Sequence, residues 1–169
     1  HEHLHTLQSV KYNPELLERC KDTHVLVAGN PLTLIDVRAR ATSGTFFSYG
    51  DSWYNQEAFA IEQMVQVRWY LVGKTPVDDS RYKTWEEQNW LLCARAFVPS
   101  ACILAYAVAG HFLNTGERLF ENDYVRCSDA DTDKDRIVMG MFRPDGIRCG
   151  VYRANKRDPN LGLAHVIDL

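Results

Sequence analysis

Short runs of alternating apolar and polar residues dominate the last third of this chain. Tyr124–Cys127, Arg136–Phe142 and Ile147–Tyr152 read as strands, parted by an Asp-rich turn and by Pro144-Asp145-Gly146. A basic, Asn-bearing loop leads to a fourth run, Leu161–Ile167. The alternation gives way to near-continuous apolarity from Ala101 to Leu113, which predicts a helix buried on nearly every side. Val98-Pro99-Ser100 starts it and Asn114-Thr115-Gly116 ends it. Before it, Thr84-Trp85-Glu86-Glu87 is a capping box that opens a helix through Trp90, Leu91 and Leu92. Val67–Val72 predicts a strand with Val67, Trp69 and Leu71 on one side, followed by a polar connection over Gly73–Tyr82.

The first sixty residues are less regular. Asn13-Pro14-Glu15 starts a short helix through Leu16, Leu17 and Cys20. Thr23–Ala28 and Leu32–Ala39 predict two strands around Gly29-Asn30-Pro31. After a loop at Ala41–Gly50, Asp51 or Ser52 caps a helix through Ala58, Phe59, Ile61 and Met64. From residue 67 onward the order is one strand, two helices and four strands. Helices and strands are segregated, so the expected class is α+β with a largely antiparallel sheet.

With 169 residues the chain is expected to form one domain. Residues 1–10 read as a frayed or tag-like end, 11–66 as an N-terminal α/β extension and 67–169 as the core. An apolar share of 46% is too high for a disordered chain. A net charge of −3 offers no global attraction to nucleic acid or to membrane. Five widely spaced cysteines, none in a CxxC pair, read as reduced and mostly buried thiols. No stretch approaches the roughly 18 uncharged apolar residues of a membrane span. The chain opens on HEHLHTLQ without an initiator Met or a signal peptide, as a processed chain or a piece of a longer one would. Cytoplasmic placement is the default expectation. His1, His3 and His5 alternate in a way that suits a metal ion in an extended chain, but a frayed or tag-like terminus is the better account of them.

Strand–helix–helix–strands is the element order of the C-type-lectin fold. The segments TWEEQNWLL, VPSACILAYAVAGHFLNTGERLF, YVRCSD, RIVMGMF and NLGLA resemble a protein family common in candidate-phylum bacteria. That family is similar to lectin-fold variable proteins diversified by retroelements and, distantly, to the domain of formylglycine-generating enzymes. In such proteins the second helix opens near Leu-Pro-Ser/Thr, here Val98-Pro99-Ser100, and the last strand near Gly-Phe-Arg, here Gly162-Leu163-Ala164. The resemblance implies a β-α-α-β-β-β-β core with variable positions before the last strand. They map to Arg143, Arg148, Gly150, Tyr152, Arg153, Asn155, Lys156, Arg157 and Asn160. It further implies a non-catalytic ligand- or receptor-binding domain whose partner is a protein or other macromolecule.

Other chemistry is weighed from the residues. Asp129, Asp131, Asp133 and Asp135 alternate, which raises calcium, but an EF-hand counted from Asp129 has Lys134 where Gly is needed and Gly140 where Glu is needed. A solvated hairpin turn is the plainer account, and no cofactor is expected. Cys149 and His165, with Asp168 nearby, suit an enzyme or an enzyme remnant if they meet across strands. A Gly-x-Ser-x-Gly, a phosphate loop and a zinc-ligand spacing are all absent from the sequence. Arg143, Arg148, Arg153, Lys156 and Arg157 suit an anionic partner, nucleic acid included, but Asp145 and Asp158 interrupt them. The third alternative is a structural or assembly module.

Overall fold

The computed structural model of the chain describes residues 2–48, 50 and 52–169. Six α-helices and eight strands lie among them: α1 Glu2–Gln8, α2 Pro14–Cys20, β1 His24–Ala28, α3 Leu34–Arg40, α4 Ala58–Ile61, β2 Trp69–Gly73, α5 Trp85–Asn89, β3 Ala96–Phe97, α6 Ala101–Thr115, β4 Tyr124–Ala130, β5 Arg136–Arg143, β6 Gly146–Tyr152, β7 Leu161–Leu163 and β8 Val166–Ile167. A 3-10 turn covers Trp53–Gln56. The class is α+β, with two mostly antiparallel sheets.

Helix α6 organises the core. Ser100 accepts a hydrogen bond from the Ile103 amide, and Gly116 ends the helix in the left-handed region at φ 76°. Ala101, Leu104, Ala105, Ala107, Val108 and Ala109 are all buried. The alanines allow close approach, and α6 packs against β4 and β5 on one side and β1 on the other. Tyr106 donates its hydroxyl to the Ala28 carbonyl at 3.0 Å, tying α6 to the first sheet.

That first sheet runs β1-β2-β8-β3 and the second runs β6-β5-β4-β7. The expected fourth terminal strand over Leu161–Ile167 is in fact two. Leu161–Leu163 pairs parallel with β4, whereas Val166–Ile167 inserts between β2 and β3. Ala164 and His165 make the crossing, their backbone bonded to the Arg126 carbonyl and the Gly73 amide.

Several upstream expectations are corrected. Leu32–Ala39 is not a strand: Leu34–Arg40 is helix α3, opened by a Thr33–Asp36 capping box. Leu34 and Val37, three apart, bury one helical face. The alternation of LTLIDVRA also satisfies strand spacing, and the cap decides between the two. The helix expected through Met64 is only Ala58–Ile61, and Ser52 makes no side-chain cap bond. Asp51, the other expected cap, lies outside the described residues, as does His1. The helix opened by Thr84 ends at Asn89, leaving Trp90 exposed. Residues 2–8, expected to fray, form α1, whose Leu7 carbonyl accepts from the Trp69 indole at 2.9 Å. Asp129 belongs to strand β4 and is buried, not part of a solvated turn.

Removing the α3 cap tests the helix assignment. Thr33→Ala should lower unfolding stability by about 1 kcal/mol, read from urea melts. An unchanged midpoint would argue against the capping role.

Candidate functional site

Alternation along β4 sends Val125 and Cys127 into the core under α6, so Arg126 faces the other way. Its side chain is nonetheless wholly buried, with a relative exposure of 0%. No carboxylate pairs with it among the described residues. Nη1 donates to the Lys83 carbonyl (3.0 Å) and to Gln88 Oε1 (2.8 Å). Nη2 donates to the carbonyls of Arg153 (3.2 Å) and Lys156 (2.7 Å). Burial foremost, and then the neighbouring Arg136, push its pKa down to about 10, so it stays a cation at neutral pH.

Those acceptors lie on the two segments that cover this face of the second sheet. One is the stretch from Ser80 through α5, where the buried Gln88 also donates to the carbonyls of Ser80 (2.8 Å) and Leu161 (3.2 Å). The other is the 153–160 loop, which crosses from β6 at one sheet edge to β7 at the other. More bonds hold its backbone: Trp85 N to Ala154 O at 2.8 Å, Tyr82 N to Asp158 O at 3.0 Å and Tyr124 N to Asn160 O at 2.8 Å. The loop is irregular in shape and yet anchored along its whole length.

The eight residues singled out for ligand binding divide on this frame. Arg153, Asn155, Lys156, Arg157 and Asn160 are exposed on the loop, and Arg143 is exposed at the end of β5. No side-chain hydrogen bond or ion pair engages Arg143, Arg153, Asn155 or Asn160 among the described residues. The others have structural partners. Arg148 is paired through both Nη atoms with Asp145 and stacks over Phe47 at 4.4 Å from the ring centre. Arg157 donates to Glu87 at 2.6 Å and to the Tyr82 carbonyl at 3.3 Å. Tyr152 is half-buried, edge-on to Tyr124 at 6.0 Å, with Lys156 Nζ 6.0 Å from its ring centre.

Nor do the eight form one basic patch. Arg143 pairs with Gly146 at one end of the β5–β6 ladder, and Arg136 pairs with Tyr152 at the other. At about 3.3 Å per residue, the Gly146 end and the Arg153 loop lie roughly 20 Å apart.

The remaining candidates are placed apart. Cys149 is buried in β6, and burial foremost pushes its thiol pKa well up. His165 lies at the crossing into the other sheet, its Nε2 3.1 Å from His24 Nε2, and burial foremost lowers its pKa to about 4. Asp168 is ion-paired with Arg68. Asp129 accepts from the Ala101 amide at 2.5 Å, so it caps α6 rather than facing Asp131. Burial foremost raises its pKa. Asp131 accepts from the Asp135 amide at 2.8 Å, and Asp133 is exposed. No group of three or more His, Cys, Asp or Glu side chains converges on a common point among the described residues.

Residue-level reading missed Arg126, Gln88 and Ser80. The signal was present: Arg126 interrupts the apolar YVRC strand, and Gln88 falls on the buried face of the capped helix.

Two measurements check this frame. Arg126→Met keeps the volume but leaves the Lys83 and Lys156 carbonyls and Gln88 Oε1 without a donor, and should cost about 3–5 kcal/mol and speed amide exchange over 153–157. Equal exchange in both proteins would sink the anchoring role. Glu87 is held down to about 2 from 4.5, first by Arg157 and then by the Thr84 amide. Its folded pKa is below the unfolded one, so its stabilisation is full above pH 4.5 and lost as pH falls toward about 2. Glu87→Gln should flatten the acid-unfolding curve in that window; superimposable curves would contradict the pairing. No protein-family model matches the chain, and neither a curated protein nor a solved structure resembles it detectably.

Proposed function

We propose that this chain is a non-catalytic ligand- or receptor-binding domain of C-type-lectin type, displaying the 153–160 loop and the outer face of β6 to a protein ligand. The observation that carries this reading is the grip of Arg126 on the Arg153 and Lys156 carbonyls, while the side chains of Arg153, Asn155 and Lys156 stay exposed. A backbone clamped from below with side chains exposed above is what tolerance to replacement requires. Binding then carries little ordering cost for the main chain, and specificity rests with the side chains.

The order β2, α5, α6, β4, β5, β6, interrupted by the two-residue β3 between the helices, supports the lectin reading, as does the use of Val98-Pro99-Ser100 to open α6. The tight seat of Gly162 supports it too: a Cβ there would lie 2.4 Å from Pro76 Cβ, so the last strand begins at a site that excludes bulk. A protein ligand is favoured over nucleic acid on charge. Of the five cations at 143–157, Arg148, Lys156 and Arg157 are ion-paired with Asp145, Asp158 and Glu87. What remains is two separated arginines rather than a phosphate-tracking stripe. The enzyme alternative would need Cys149 and His165 together, but Cys149 lies in β6 of the second sheet whereas the His165 ring rests on Gly73 of the first, beside His24.

A library randomised at Arg143, Arg153, Asn155, Lys156 and Asn160 tests the display reading. Most members should stay protease-resistant, and single changes such as Arg153→Ala should move Tm by no more than about 2 °C. Gly162→Val should fail the same selection. General unfolding across the library would end the proposal. Retroelement diversification has its own test, a reverse transcriptase and a near-copy of the coding segment for 143–160 beside the gene.

A further inference from the structure

A second cleft lies away from the display surface, on the first sheet. It encloses about 450 Å³ and is lined by Thr23, His24, Asp78, Cys93, Ala96 and His165, among others. Two imidazoles dominate it. His24 opens β1, and its Nε2 lies 3.1 Å from His165 Nε2, the rings edge to face at 88°.

The pair is built in rather than incidental. His24 lies opposite Gly73 in the β1–β2 ladder, and the His165 ring rests directly on Gly73. Any Cβ on residue 73 would fall 2.2 Å from His165 Cε1, so only glycine leaves room for that ring. Thr23 Oγ1 stands 2.8 Å from His24 Nδ1 and orients the first ring. The Gly73 amide donates to the His165 carbonyl at 3.0 Å, which fixes the backbone of the second.

We propose that His24 and His165 form a two-histidine seat for a borderline divalent transition ion such as Zn²⁺, Ni²⁺ or Cu²⁺. Two imidazole nitrogens bound at about 2.0–2.1 Å and about 3.1 Å apart subtend roughly 100° at the metal, close to tetrahedral geometry. Coordination replaces the Nε2–Nε2 hydrogen bond: each Nε2 donates a lone pair, and the shared proton moves to Nδ1 of the ring that held it. In His24 the Nδ1–H then donates a hydrogen bond to Thr23 Oγ1. His165 Nδ1 is buried without a partner, and the missing outer-shell acceptor weakens the seat by about tenfold or more. The open cleft leaves the other positions to water, with the Cys93 thiol and the Asp78 carboxylate on its walls. Imidazole donors favour Cu²⁺ over Ni²⁺ and Zn²⁺, and all three over Mg²⁺ or Ca²⁺.

The test uses the chain carrying His1→Gln, His3→Gln and His5→Gln, which silences the terminal histidines. Calorimetric titration with Zn²⁺ should show one equivalent bound, and excess Zn²⁺ should raise Tm. His24→Gln and His165→Gln should each weaken binding at least about tenfold, since even outer-shell losses reach that size. Two variants guard against one failing to fold. Absence of binding in the silenced chain, or binding that neither substitution weakens, overturns the seat.

Discussion

One buried guanidinium holds the candidate surface in place. Arg126 sits where strand alternation calls for an outward residue, and the face it points to is roofed by the chain itself. An unpaired buried charge is among the most costly things a protein can carry. Here four neutral oxygens on two separate stretches of chain surround it, and three of them, Lys83 O, Gln88 Oε1 and Lys156 O, take no other hydrogen bond among the described residues. The arginine and its roof therefore depend on each other. A carboxylate partner would have neutralised the charge at one point; carbonyls spread the dependence over residues 83 to 156. The result is an irregular segment held nearly as firmly as a strand, though it has no ladder of its own.

Much of the second sheet was legible because β-rich apolar runs are parted there by turn residues, Asp-rich after β4 and Pro144-Asp145-Gly146 after β5. The same holds for α6, whose run of alanine and leucine admits no other structure, and for the Thr84 capping box. Legibility ended where two periods agree over a short stretch. Leu32–Ala39 satisfies both strand and helix spacing, and the Thr33–Asp36 reciprocal bonds settle it for the helix. It ended again at Leu161–Ile167, where hydrophobic continuity hid a change of sheet, because pairing partners are set by distant segments. The candidate surface was legible as a list of exposed residues but not as a geometry. Register alone separates Arg143 from Arg153 and assigns Arg148 and Arg157 to internal pairs.

The acidic turn shows how one residue type takes different work within a few positions. Asp129 leaves solvent to meet the first amide of α6, where the helix dipole favours a carboxylate and burial opposes its charge. Asp131 closes the hairpin through the Asp135 amide. Strand extension through Ala130 decides the split, since it carries Asp129 to the inner face and leaves Asp133 outside.

The crossing at Ala164–His165 bears on the order of assembly. In the first sheet β8 stands between β2 and β3, so of the strands in the two sheets the one synthesised after all the others fills an interior position. Until it emerges, β3 has no neighbour in that sheet and β2 is paired on one side only. The second sheet waits on the same segment, since β7 completes its edge three residues earlier. Both sheets therefore close in a single late event, and a ribosome-bound chain lacking residues 161–167 keeps two open edges for a chaperone to cover.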